Sequence, residues 1–263
     1  MSGALAGAVD DPAQPAAVIR VEDAAQRFGE RTIFQHVSFE VAPGEIFVIL
    51  GGSGCGKSTL MKQLIGLLHP SAGRIEVLGH DIAAAREAVR RQIGVMFQSG
   101  ALFGSMSLLE NVMLPLEVYT DLPPDGRADV ARVKLALVGL ADAAALYPAE
   151  ISGGMAKRAG IARALALDPA LLFLDEPSAG LDPITSAGLD RLILDLREML
   201  GSTFVVVTHE LQSILAIADR CIMLDQKAKG LIAEGDPRRL RDESEHPTVR
   251  AFFRREVLAE ETA

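Results

Sequence analysis

One octapeptide narrows the folds open to this chain. Gly51-Gly52-Ser53-Gly54-Cys55-Gly56-Lys57-Ser58 fits the spacing G-x4-G-K-[ST]. It lies between a continuous apolar run, Ile46–Leu50, and a segment of helical period, Thr59–Leu68. Strand, glycine-rich loop and helix start, in that order, are the context a phosphate-binding loop requires. The glycines let backbone N–H groups turn inward around phosphate oxygens, and the helix start adds its positive dipole end. Lys57 brings a charge for the β- and γ-phosphates and Ser58 a hydroxyl for Mg²⁺. The competing reading is an unliganded glycine-rich turn, and the strand–loop–helix context weighs against it.

A run such as Ile46–Leu50 is the pattern of a strand buried on both faces. Leu171–Leu174 and Phe204–Val207 read the same way; they end in Asp175-Glu176-Pro177 and Thr208-His209. Helical stretches such as Ser186–Leu200 separate them, which argues an α/β fold with a parallel sheet covered on both faces. Ligands in such sheets sit beyond the carboxyl ends of the strands. All three polar clusters follow strand ends, so they can converge. Asp175 is then placed to hold Mg²⁺ through water, and Glu176 to orient or deprotonate an attacking water. Taken alone, the two carboxylates would read as a turn before Pro177.

Ile19–Val21 and Val37–Val41 alternate with a period of two and predict a small N-terminal antiparallel sheet. From about Ser99 to Glu150 strand-like runs are few. There Val130, Val133, Leu137 and Leu140 predict an amphipathic helix, so the segment reads as a helical insertion. Ile151-Ser152-Gly153-Gly154-Met155 precedes a predicted helix, Ala156–Leu167; Ser152 is a candidate cap, and the glycines expose N–H groups. At the other end, Val249, Phe252, Phe253 and Val257 form an apolar stripe at helical spacing. The stripe either packs on its own core or reaches a second copy or another protein.

Composition excludes several classes. The net charge of −9 argues against wrapping nucleic acid, which needs clustered Lys and Arg. No apolar run approaches the ~18 residues of a membrane span. Residues 1–17 lack the basic start and apolar centre of a signal peptide and read as a disordered leader. Cys55 and Cys221 make no disulfide framework, which fits a reducing, cytoplasmic setting. Lys57 and a helix start could lower the Cys55 pKa, although a small tolerated loop residue is the simpler reading. His36, His69, His80 and His246 share no metal-like spacing. Arg90-Arg91 and Arg254-Arg255 read as solvated charges, with contact to anionic lipid heads as the alternative.

The ordered motifs resemble the ATP-binding cassette family, from about Ile19 to Leu240. Gly51–Ser58 looks like its Walker A loop, Leu171–Glu176 its Walker B strand and Ser152–Met155 its signature motif. Gln98 matches its Q-loop, Ser178–Asp182 its D-loop and His209 its switch histidine; Phe28 stands where an aromatic stacks on adenine. The family implies a RecA-like P-loop core with an antiparallel β subdomain and an inserted helical subdomain, here about 99–160. It implies one nucleotide-binding domain over 18–240 and a helical extension over 241–263. It also implies ATP and Mg²⁺ as ligands. Gly51, Gly52, Ser53, Gly54, Cys55, Gly56, Lys57, Ser58 and Thr59 would surround the phosphates. Ser58, Gln98 and Asp175 would attend the metal. Lys57, Gln98, Glu176 and His209 would serve hydrolysis. Two copies would pair head to tail, each ATP lying between one copy's Walker motifs and the other's Ser152, Gly153 and Gly154, with Asp182 nearby. Met155 departs from the usual glutamine, and a thioether cannot replace an amide's hydrogen bonds.

Gln98–Phe103, Glu110-Asn111-Val112, Leu114-Pro115-Leu116, Asp182–Thr185 and His246–Phe253 are similar to the ATPases of lipid-trafficking MCE systems such as Mla. That branch implies a peripheral ATPase dimer on the cytoplasmic face of the inner membrane. Its partners would be a permease, an MCE-domain lipid-binding protein and a small STAS-domain protein. Leu102–Glu117 would receive the permease. Transport of another small solute would use the same motifs. A cassette protein acting on DNA or ribosomes usually has two cassettes, a long coiled-coil insert or basic arms.

Overall fold

Two hydropathy periods in the chain become two sheets. The computed structural model describes residues 17–98 and 100–256; the expected leader, save its last residue, and Val257 lie outside the described residues. Strands β1 (Ile19–Phe28) and β2 (Arg31–Val41) form a hairpin longer than the alternation predicted. β3 (Ile46–Gly51), α1 (Lys57–Leu64), β4 (Ala72–Val77) and β5 (His80–Asp81) follow. The antiparallel sheet has the order β2-β1-β4-β5. In Val37–Val41 every second residue is buried and the others face solvent, as one covered face requires.

Next come α2 (Arg86–Arg90), β6 (Ile93–Met96), α3 (Leu108–Tyr119), α4 (Pro124–Leu137) and α5 (Gly153–Ala164). They lead to β7 (Leu171–Asp175), α6 (Pro183–Leu200), β8 (Thr203–Val207), α7 (Leu211–Ile217), β9 (Arg220–Asp225) and β10 (Gly230–Gly235). Helices α8 (Pro237–Glu243) and α9 (Pro247–Arg254) complete the described chain. The second sheet has the order β10-β9-β3-β8-β7-β6. Its strands are parallel except β10, which runs antiparallel on the edge.

That sheet divides two hydrophobic cores. Ile46, Val48 and Leu50 of β3 face the core shared with α3–α7 and α9, while Phe47 and Ile49 face the core under the antiparallel sheet. β7 and β8 alternate the same way. Side chains of a strand point to opposite faces in turn, so a strand between two cores must be apolar throughout. Each such side chain contributes about 1.5–3 kcal/mol when fully buried. Phe47 also stacks on Phe39 with ring centroids 5.3 Å apart, fastening one sheet to the other.

The helices depart from expectation in several places; α6, for one, starts at Pro183 rather than Ser186. α1 stops at Leu64 rather than Leu68 because Gly66 turns left-handed, at φ 70°. α4 buries Ala131, Lys134 and Leu135; of the predicted stripe, Val130, Leu137 and Leu140 face the core, whereas Val133 is 58% exposed. Lys134 takes a buried place on that face, and its ammonium reaches Asp168. α5 starts at Gly153, ahead of the predicted Ala156. In the tail, Val249 and Phe253 are buried in the main core, so the stripe packs on its own chain. Among the described residues no helix is long and apolar enough to cross a membrane.

Candidate active site

The loop after β3 is set by its glycines. Gly51 has φ 145°, and a Cβ there would lie 2.3 Å from the Leu224 carbonyl oxygen. Gly56, at φ 106°, precedes the first residue of α1, and a Cβ there would lie 2.8 Å from Phe34 Cδ1. Neither position admits a side chain without moving the core. Lys57 Nζ folds back and donates to the carbonyls of Gly51 at 2.8 Å and Gly52 at 3.1 Å. Gly52, Ser53, Gly54 and Ser58 are exposed, and Thr59 is half-buried.

A cleft of about 370 Å³ runs over this loop and brings Phe28, Gly54, Gly56, Lys57, Ser58 and Thr59 together. Phe28, at the end of β1, is 52% exposed. An exposed ring beside a polar cleft is available for stacking. Arg31, across the hairpin from Phe28, lines the same cleft; no spacing in the sequence distinguished it from other surface arginines. Cys55 does not take the lowered-pKa alternative. It is buried, and burial pushes its thiol up despite the nearby Lys57 charge.

Parallel strands β3, β8 and β7 are neighbours, so their carboxyl ends lie side by side. β7 delivers Asp175 and then Glu176, whose backbone takes φ 48°. The Glu176 N–H donates to the Val207 carbonyl at 2.8 Å. His209, just past β8, sits with Nδ1 2.8 Å from Glu176 Oε1. Asp175 Oδ1 and Glu176 Oε2 are buried without a hydrogen-bond partner. Burial, then the Glu176 charge, pushes the Asp175 carboxyl up. An unsatisfied buried polar group costs about 1–3 kcal/mol, so a cation would relieve this pair. Hydroxyl and carboxylate oxygens are the hard donors Mg²⁺ takes, usually completed by water and phosphate oxygens. Ser58 and Asp175 fit that role. Among the described residues no three His, Cys, Asp or Glu side chains gather into a metal cage.

The remaining predicted residues lie on other elements. Gln98 is exposed after β6, and its carbonyl accepts from Lys157 Nζ. Lys157 also donates to the Glu176 carbonyl at 3.0 Å. Sequence reading missed it because a lysine inside a helix carries no signal of burial. Ser152 caps α5, its Oγ accepting from the Met155 N–H at 3.3 Å. Ser152 and Gly153 are exposed, Gly154 is buried, and no hydrogen bond among the described residues joins them to the phosphate loop. Asp182 caps α6, accepting from the N–H groups of Ile184 at 3.0 Å and Thr185 at 3.1 Å. Those bonds, the Thr185 hydroxyl first, hold its carboxyl below the usual range.

The sequence pattern of the ABC transporter family matches residues 34–179. The chain belongs to the ABC transporter family. As an ABC cassette it is 43% identical over 239 residues to the "probable ribonucleotide transport ATP-binding protein mkl" of Mycobacterium tuberculosis, covering 89% of this chain and 66% of that protein. The chain therefore spans just under two thirds of that relative's length. It is 43% identical to the "intermembrane phospholipid transport system ATP-binding protein MlaF" of Haemophilus influenzae, covering 85% of each chain. For MlaF of Escherichia coli K12 the identity is 41%, over 90% of this chain and 88% of that one. Among solved structures, cbiO1 of Clostridium perfringens, part of the ABC transporter complex cbiONQ, superimposes with a TM-score of 0.78 at 29% identity, covering 86% of this cassette and 91% of that chain. A dimeric cassette, MJ0796, in a post-hydrolysis state with ADP and Pi, gives 0.74 at 29% identity, covering 83% and 98%. The fold is the RecA-like P-loop fold of these cassettes.

Proposed function

We propose that this cassette is the ATP-hydrolysing subunit of a transporter that moves phospholipid between the inner membrane and the periplasm. The observation that carries the reading is the placement of Lys57, Asp175, Glu176 and His209 at neighbouring strand ends. The match to MlaF over most of both chains supports the cargo. The cassette would span 18–240, with its helical subdomain at about 99–160 and a helical extension from 241.

The loop N–H groups and Lys57 bind the β- and γ-phosphates, Lys57 exchanging its two carbonyl partners for phosphate oxygens. Phe28 stacks on adenine. Ser58 and Asp175 would hold Mg²⁺, which would supply positive charge to neutralise the charge developing on the phosphates. Glu176 orients the attacking water and accepts its proton; His209, steadied on Glu176 Oε1, faces the γ-phosphate. Gln98 senses the site from its loop. Ser152, Gly153 and Gly154 of a second copy close over the γ-phosphate with the helix start of α5, and Asp182 lies close to that seam. A lone copy lacks half of each site.

The dimer works under two permease copies, peripheral to the cytoplasmic face, with an MCE-domain protein beyond the membrane and a STAS-domain protein on the cassette. An apolar cleft of about 240 Å³ beside the Gln98 loop, lined by Ile65, Leu67, Phe97, Pro115 and Tyr119, suits the permease contact. Of the stretch Leu102–Glu117, Pro115 reaches that cleft, while Leu108, Val112 and Leu116 are core. The name of the mycobacterial relative favours a second reading, transport of a nucleotide-like solute.

The test is a gentle-detergent pull-down of the tagged Glu176→Gln chain from its own membranes, with mass spectrometry of proteins and lipids. A permease, an MCE-domain protein and bound phospholipid are the expected yield. A different permease without phospholipid would discard the lipid cargo and keep the ATPase.

A further inference from the structure

Lys157 is a buried ammonium in an unusual setting. It is 7% exposed, and among the described residues it forms no ion pair within 4.0 Å. Its Nζ donates instead to main-chain oxygens, those of Gln98 and Glu176. Lysine is almost never fully buried without a partner, because desolvating the charge is costly. Burial does pull this ammonium down, and the Glu176 and Asp175 charges oppose that pull. An apolar side chain would fill the space with less desolvation. What the ammonium adds is a fixed distance between two loops.

Both loops have reason to be held. Glu176 adopts a left-handed backbone, and such a conformation persists only where its surroundings over-determine it. Its N–H is held by Val207 and its carbonyl by Lys157. The loop of Gln98 is gripped by the same helix one turn and more further on: Arg163 donates to the carbonyls of Gly100 at 2.9 Å and Ala101 at 2.8 Å. Gly160 lets the two approach, since a Cβ there would lie 3.3 Å from Gly100 Cα.

We infer that Lys157 is a positioning residue that couples the Gln98 loop to the Glu176 carboxylate. Displacing Gln98 moves the ammonium, and the ammonium moves the Glu176 backbone. The inference rests on the ATPase reading for its consequence: whatever docks beside Gln98 alters the rate of hydrolysis and leaves nucleotide affinity alone.

The test compares full-length Lys157→Met, Lys157→Gln and Lys157→Arg with the parent chain by two readouts. In amide hydrogen exchange, the Met and Gln variants should exchange faster in peptides covering 97–103 and 175–181, and unchanged across β3. In steady-state hydrolysis, both should lose roughly 10–100-fold in kcat with KM for ATP held within about twofold, the mark of an interaction that acts on the reacting geometry. Lys157→Arg, which keeps the charged donor, should recover kcat to within a few-fold. Parental exchange and kcat in the Met and Gln variants would overturn the inference. So would faster exchange throughout the chain with equal losses in all three variants, which marks a merely structural residue. A parent chain that hydrolyses no ATP even as a dimer would refute the functional reading, and exchange would still decide the clamp.

Discussion

Glu176 is constrained from every side: its N–H by Val207, its carbonyl by Lys157 and one carboxylate oxygen by His209. The other oxygen is buried without a hydrogen-bond partner. Replacing Glu176 by Gln keeps size and shape and removes the proposed base. Turnover should fall roughly 10²–10⁴-fold, the usual worth of a general base, while ATP affinity by equilibrium dialysis stays at the parental value. Turnover within a few-fold of the parent would remove Glu176 from the role. Asp175, Glu176 and His209 were legible because apolar runs end abruptly in them. The burial of Cys55 was not, because the loop around it is polar in sequence. Cys55 joins the core under the antiparallel sheet, to which distant β2 contributes Phe34.

At the scale of elements, period-two and all-apolar runs located the strands, and their ends located the site. Helix registers were harder. α4 buries a lysine whose head reaches Asp168, and hydropathy counts that residue as solvent-facing. α3 shows the opposite case. Ser107 and Glu110 form a capping box at its start. Buried Asn111 bonds the Phe103 N–H and the carbonyls of Phe103, Met106 and Ser107. The Glu110-Asn111 pair, noticed as a family likeness, is thus the fastening of the preceding loop. Between α6 and α7, Asp190 is buried; it accepts from Ser213 Oγ at 2.9 Å and has one oxygen without a partner. Burial raises its carboxyl, so the folded state holds that proton more tightly than the unfolded chain, whose value is about 3.9. The contribution of Asp190 to stability is therefore lost as pH rises from about 4 through its folded value, and the loss is constant above it. Asp190→Asn keeps an acceptor for Ser213 and does not titrate. Its urea midpoint relative to the parent should be higher at pH 8 than at pH 4. An equal offset at both would contradict this account.

The whole molecule is a sheet between two cores, with the phosphate loop, the acids and His209 at one end of its strands and Ser152–Gly154 on a separate helix start. Nothing in the described chain closes that helix start over its own phosphate loop; in the proposed mechanism a second copy does. In a symmetric dimer each site then draws on both chains. Two variants test this in one mixture. Lys57→Ala disables the phosphate loop. Gly153→Asp places a carboxylate at the α5 start, where a new Cβ would meet only Leu181 Cδ2, at 3.8 Å, so the fold is kept. Each variant alone should be inactive. Mixed in equal amounts, a heterodimer has one site with both lesions and one intact site. Half of randomly formed dimers are of this kind, so about a quarter of parental ATPase activity should return. Inactive variants that stay inactive when mixed, although they exchange subunits, would contradict sites shared between two copies.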